Sequence, residues 1–169
     1  MANPTMTLIA SVTVGSGGAA SMDFTSIPST YTDLCVKISS RGTTASSTTG
    51  LVWALNTLTT NFSYKVLYGD GTAAASVGSS TGSLGDINAS TSTTSTFSST
   101  EVYLPNYGSS NNKSYSVDSV QEQNGTTAYA ELLAGLWSNT SAVNAIKLQP
   151  TSGNFAQYST AYLYGISNT

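Results

Sequence analysis

Read from its C-terminal end, this chain shows an alternation that leaves few folds open. In Gly153-Asn154-Phe155-Ala156-Gln157-Tyr158-Ser159-Thr160-Ala161-Tyr162-Leu163-Tyr164-Gly165-Ile166, residues Thr160, Tyr162, Tyr164 and Ile166 share one face, and Ala161, Leu163 and Gly165 share the other. Side chains of a strand alternate between faces, so this segment predicts a strand packed on both sides. Earlier segments must cover a strand this apolar, which predicts termini that are tied in rather than trailing.

The same period recurs upstream. Met6 to Val14 alternates Leu8, Ala10, Val12 and Val14 with Thr7, Ile9, Ser11 and Thr13, and Gly15-Ser16-Gly17-Gly18 ends it. Met22-Asp23-Phe24 predicts a short strand. Thr25 to Thr32 predicts a turn, or a single helical turn, with Ile27 and Tyr31 plugging one end of the core and Pro28 fixing a φ angle. In Asp33 to Ser40, Leu34, Val36 and Ile38 oppose Cys35, Lys37 and Ser39. Arg41 to Gly50 has no apolar anchor and is expected to be an exposed connection. Leu51 to Asn56 puts Leu51, Trp53 and Leu55 inside, and Ser63 to Tyr68 leads into a turn at Gly69-Asp70-Gly71-Thr72.

Ala73 to Ser95 carries only Val77, Leu84 and Ile87 among Gly, Ser, Thr and Ala, and is expected to be a long irregular surface excursion. Strands resume at Thr96 to Tyr107 and Lys113 to Gln123, where Asn124-Gly125 signals a hairpin. The segment after it, Ala128 to Ser138, has helical propensity. The hairpin and the interruption at Gly135 favour a strand, with Tyr129, Glu131, Leu133 and Trp137 on one face. Asn144 to Gln149 is a further strand. Nine or ten short strands with turns between them predict an all-β fold, an antiparallel two-sheet sandwich of jelly-roll type, in one domain over residues 1–169. Trp53 and Trp137 are expected in its core.

Charge is scarce: 8% of residues, against roughly 25% in an average soluble protein. Ser and Thr make up about a third of the chain, so the polar surface is built from hydroxyls and amides. The five basic residues, Lys37, Arg41, Lys65, Lys113 and Lys147, are scattered, and the net charge is −3. A phosphate backbone needs clustered cations, so nucleic acid is not an expected partner, and the five read as solvated edge and rim charges. Met1-Ala2-Asn3-Pro4-Thr5-Met6 has neither the basic nor the apolar part of a secretion signal, and no run approaches the ~20 apolar residues of a membrane-spanning helix. The expectation is a protein made in a cytoplasm, with no membrane partner.

Catalytic chemistry finds little purchase. The chain has no His, which removes Ser–His–Asp and Cys–His arrangements and the common zinc sites. The single cysteine, Cys35, reads as a small strand residue and forbids an internal disulfide. Gly69-Asp70-Gly71 lacks the acidic spacing of a calcium loop, and Gly15-Ser16-Gly17-Gly18 lacks the Lys and helix of a phosphate loop. Glu101, Asp118, Glu122 and Glu131 fall on neighbouring strands and could in principle form a glycosidase pair. With no aromatic-lined cleft pattern beside them, they read as exposed strand acids. No catalytic, cofactor-binding or metal residues are assigned. The Asn-x-Ser/Thr triplets at Asn61, Asn88, Asn112, Asn124 and Asn139 follow from composition. Tyr103, Tyr107, Tyr115, Tyr158, Tyr162 and Tyr164 exceed what one small core needs. Each suits the core, and some suit an intersubunit surface, where a ring with a polar tip packs well.

Several short phrases occur in fixed order: Thr7-Leu8-Ile9-Ala10-Ser11, Ser26-Ile27-Pro28-Ser29-Thr30-Tyr31-Thr32-Asp33-Leu34, Val102-Tyr103-Leu104-Pro105-Asn106-Tyr107, Asn112-Lys113-Ser114, Asn124-Gly125-Thr126-Thr127-Ala128-Tyr129, Ala134-Gly135-Leu136-Trp137-Ser138, and the C-terminal strand. Together they resemble a group of small virion proteins and domains of tailed bacteriophages. The resemblance covers both ends of the chain and passes over Ala73 to Ser95. It implies a jelly-roll-like virion structural protein, commonly a homotrimer, with no active-site residues to carry over. One placement is a capsid decoration, or cement, protein on the capsid exterior, bound to the major capsid protein. Another is a tail-fibre or baseplate receptor-binding module bound to tail proteins. A glycan-active enzyme on a sandwich is the third reading, and its mark would be two carboxylates lining a groove.

Overall fold

The computed structural model describes residues 5–125 and 128–167. Among them are twelve strands and no helix: β1 (Met6–Thr13), β2 (Met22–Phe24), β3 (Asp33–Ser40), β4 (Thr48–Leu55), β5 (Phe62–Gly69), β6 (Ala74–Ser79), β7 (Ser83–Asn88), β8 (Ser98–Leu104), β9 (Lys113–Gln121), β10 (Tyr129–Trp137), β11 (Ile146–Pro150) and β12 (Thr160–Ile166). All pairings between these strands are antiparallel. They form an eight-stranded sheet ordered β1-β12-β3-β8-β9-β10-β5-β6 and a four-stranded sheet ordered β2-β11-β4-β7.

The order has a simple logic. With β5, β6, β9 and β10 set aside, the other eight strands pair as β1-β12-β3-β8 and β2-β11-β4-β7, the double Greek key of a jelly roll. The remaining four are two hairpins inserted into that frame. β5–β6 follows β4, and β9–β10 follows β8. Both insertions extend the same sheet, so the larger sheet overhangs the smaller one on the β5–β6 side.

One apolar core lies between the sheets. Trp53 and Trp137 are both buried in it, as their positions on alternating strands require. Trp53 meets the ring of Tyr115 edge-on at 4.7 Å, and Phe62 stacks on Trp137 at 6.1 Å. Gly135 does not break β10. The Tyr115 ring lies where its Cβ would be, so glycine is what lets β9 and β10 carry that ring inward. Tyr107 and Tyr115 are core residues; Tyr103, Tyr158 and Tyr162 are exposed.

Several expectations need correction. Residues 73–95 are not an irregular excursion: they hold β6 and β7, and Leu84, Ile87, Asn88 and Ala89 of this stretch are buried. Val77 is exposed, and two apolar anchors, Leu84 and Ile87, suffice because this chain is paired to neighbouring strands. The connection after β3 is not wholly exposed either. Arg41 is buried, and its guanidinium donates to the carbonyls of Thr93 (2.8 Å), Thr96 (2.9 Å), Ser92 (3.0 Å) and Ser90 (3.3 Å). Lys113 is buried as well, donating to the carbonyls of Ser109 and Asn111. These two cations organise turns rather than coat a rim, and burial lowers the pKa of both. Asn124-Gly125 lies in the connection of the expected β9–β10 hairpin, but pairing starts at Gln121↔Tyr129, so this is no two-residue turn. Thr126 and Thr127 of that phrase lie outside the described residues, as do Met1 to Pro4 of the segment read for a secretion signal.

Candidate functional site

The overhang of the larger sheet creates a cavity of about 350 Å³. Its walls come from both inserted hairpins and from the edge of the smaller sheet. Tyr64, Val66 and Tyr68 of β5, with Tyr129, Glu131 and Leu133 of β10, form one side. Gly50 and Val52 of β4, with Ser83, Gly85 and Asp86 of β7, form the other. The site is therefore built on additions to the jelly-roll frame, where such frames carry their specific chemistry.

Sheet register gathers the aromatic rings. Tyr68 is the direct cross-strand partner of Glu131, and Tyr64 that of Gly135. Tyr129 precedes Glu131 by two residues and so shares its face. Tyr68 and Tyr129 meet edge-to-face with ring centroids 5.8 Å apart.

Glu131 is the central residue. It is only 8% exposed, although it is a carboxylic acid on an inward-facing strand position. One oxygen, Oε2, accepts the backbone N–H of Asp86 at 2.7 Å. Its other oxygen takes no hydrogen bond from any described residue. The local backbone is shaped around this contact. Gly50 pairs with Asp86 and Val52 with Ser83, so Leu84 and Gly85 together stand opposite Leu51 in a β-bulge. Gly85 has φ +91°, and a Cβ there would strike the Glu131 carboxylate and the Ser119 side chain. Only glycine allows β7 to present its N–H to that carboxylate.

Burial pushes the Glu131 carboxyl up to about 7; the nearby Asp86 carboxyl adds to this and the Asp86 N–H partly offsets it. Burial raises the Asp86 carboxyl as well. Burial, and then the neighbouring Asp86, raise the Tyr129 hydroxyl. No Lys or Arg lines the cavity. Lys65, the basic residue within β5, pairs with Ala134 on the opposite face of the sheet. The cavity is thus a half-open recess that holds three tyrosines and two acidic groups with no countercharge of its own.

Of the four acids singled out in the sequence, only Glu131 reaches this site, and it corrects the expectation of exposed strand acids without an aromatic cleft. Its rings come from hairpins more than sixty positions apart in the chain, beyond any local pattern. Glu101 forms a surface ion pair with Lys37 at 2.5 Å. Asp118 lies on the outer face opposite Glu101 and Leu132. Glu122 accepts the N–H groups of Gln123 and Asn124 in the hairpin connection. Asp86, the other acid of the cavity, went unrecognised because it lies in the stretch expected to be irregular. Its signal was the Leu84…Ile87 pair, whose alternation the bulge at Gly85 breaks.

The remaining candidates are structural. Cys35 is buried opposite Tyr103 and Tyr164, and its thiol is pushed up to about 11, first by burial and then by Glu101, so it is not a reactive thiolate. Asp70 closes the β5–β6 turn by accepting from the Thr72 and Ala73 N–H groups and the Thr72 hydroxyl, each at 2.8 Å, which lowers its pKa. Among the described residues no cluster of three or more His, Cys, Asp or Glu could hold a metal ion. No protein-family model matches this chain, and comparison with curated proteins gave no match.

Proposed function

We propose that this chain is a structural protein of a tailed-phage virion, a capsid decoration protein that binds the major capsid protein from outside, assembled as a homotrimer. The observation that carries the reading is the outer face of the eight-stranded sheet. Residues paired across strands share a face, so Leu67, Leu132, Val120, Tyr103, Tyr162 and Leu8 all project from this one surface. Each is at least 38% exposed. The charges among them are few: the Lys37–Glu101 pair, Asp118, Lys65 and the buried Asp33, which accepts the Tyr103 hydroxyl. A broad, weakly charged face studded with tyrosine and leucine suits repeated contact with a protein shell. Quantitative mass spectrometry of purified virions tests the reading. Hundreds of copies in simple ratio to the major capsid protein support it, and absence from the particle overturns it.

The cavity favours a second reading, a receptor-binding module of the tail. A ring-lined recess at one end of a sandwich is suited to a small ligand group, and a low copy number per virion would support this alternative.

A further inference from the structure

We propose that the cavity bounded by β5, β7 and β10 binds an organic ammonium group, primary or quaternary, between the carboxylates of Glu131 and Asp86 and the rings of Tyr64, Tyr68 and Tyr129. The inference rests on the cavity alone and does not depend on where the chain sits in a particle.

Three observations converge. First, Glu131 is held in place rather than left to find its own position. The bulge at Leu84–Gly85, the positive φ of Gly85 and the Asp86 N–H all serve to seat its carboxylate inside the sandwich. Only one of its oxygens is used for that purpose, and the other takes no hydrogen bond from any described residue. Second, the acids are uncompensated. A buried carboxylate is costly unless paired, and no basic residue lines this cavity. The protein supplies negative charge and leaves the positive partner to be provided. Third, three tyrosines, Tyr64, Tyr68 and Tyr129, line the cavity beside the acids, and aromatic rings attract cations most strongly when water is displaced.

Other ligand classes fit less well. A hard divalent ion would need water for most of its oxygen shell here, and no cluster of three or more His, Cys, Asp or Glu among the described residues could hold a metal ion. A neutral sugar would stack on the rings but would leave both carboxylates without a countercharge. A phosphate or another carboxylate would be repelled. An ammonium group satisfies both features together. It could arrive as a free amine or as a lysine side chain of a partner protein.

The inference predicts a pH dependence with a definite sign. The titratable groups facing the site are Glu131 on β10, Asp86 on β7, and the hydroxyls of Tyr64, Tyr68 and Tyr129. Ammonium binds the ionised carboxylates, so affinity rises as pH increases from about 5 to about 8, where Glu131 sheds its proton.

The experiment is a calorimetric titration of the intact protein with butylammonium, with tetramethylammonium, and with a lysine peptide and its acetyl-lysine counterpart. Butanol and neutral monosaccharides serve as controls. The ammonium probes should bind, and butanol, the monosaccharides and the acetylated peptide should not. Preference for the lysine peptide over butylammonium would identify a protein partner as the source, and the reverse a free amine. Glu131→Gln keeps an acceptor for the Asp86 N–H while removing the charge, and Asp86→Asn removes the second charge while leaving that backbone N–H in place. Each should weaken binding at least about tenfold with the near-ultraviolet circular dichroism of the fold unchanged. Tyr129→Leu is the second test, removing a ring and no acid, and should also weaken binding. Ammonium binding that survives Glu131→Gln unchanged, monosaccharide binding without ammonium binding, or no binding by any probe overturns the inference.

Discussion

The Glu131 carboxylate on β10 crosses the sandwich to accept the backbone N–H of Asp86 on β7 at 2.7 Å, joining an inserted hairpin of the large sheet to the edge strand of the small one. The burial of that carboxyl, which the Asp86 N–H offsets only in part, has a thermodynamic signature. Folding raises the Glu131 carboxyl from 4.5 to about 7, so the native state holds a proton that the unfolded chain releases. Stability therefore falls as pH climbs between those values and levels off above about 7. The loss should be about 2–3 kcal/mol. Asp86, raised in the same sense, adds to it. Urea unfolding at about pH 5 and about pH 8 measures the difference. Glu131→Gln should flatten most of it, and an equal slope in that variant would locate the dependence elsewhere.

Gly85→Ala tests whether the bulge exists to seat that carboxylate. Alanine at φ +91° is strained, and its methyl would displace the Glu131 side chain. A loss of about 2–3 kcal/mol is expected, together with a shallower pH slope because Glu131 is pushed toward water. A destabilised variant with the full pH slope would mean that the strain is local and Glu131 has not moved.

Trp53→Ala and Trp137→Ala should each cost about 3–5 kcal/mol in denaturant unfolding, since both rings are buried in the single core between the sheets. A loss under about 1 kcal/mol would show that the ring contributes little packing.

These tryptophans mark what could be read in the sequence. Leu51, Trp53 and Leu55 alternate with Val52 and Ala54, and Tyr129, Glu131, Leu133 and Trp137 keep the same period across Gly135. Strand identity and both buried indoles follow from that period read with the turn signals around it, Asn124-Gly125 above all, and the two-sheet architecture from the number of short strands between turns. The cavity does not. It needs Tyr68 opposite Glu131, a cross-strand register that no local pattern states. It also needs Asp86, masked because one extra residue at the bulge slips the period within an already polar segment. Arg41 was misread for a related reason: its partners are backbone carbonyls, and any residue type can supply those.

β6 should be the least protected strand. All six of its residues are exposed, and it pairs only with β5 at the edge of the large sheet. Hydrogen exchange tracks local opening, which is easiest where few side chains pack. Amides of 74–79 should exchange orders of magnitude faster than those of β12, which is paired on both sides. Comparable protection would mean that a second copy of the chain covers this edge in solution, as unpaired strand edges invite.

Arg41 should prove to be the clamp of the segment between β7 and β8. Its guanidinium spans four backbone carbonyls across residues 90–96, a geometry that a planar fork of donors can satisfy and a single ammonium cannot. Arg41→Lys keeps the charge but should still lose about 1–2 kcal/mol, and Arg41→Met about 2–3 kcal/mol, because carbonyls are left without donors. The decisive readout is local. Exchange of amides in residues 90–96 should rise in both variants while that of β12 stays unchanged. If Arg41→Lys matches wild type in stability and in exchange, the charge and not the fork holds the segment.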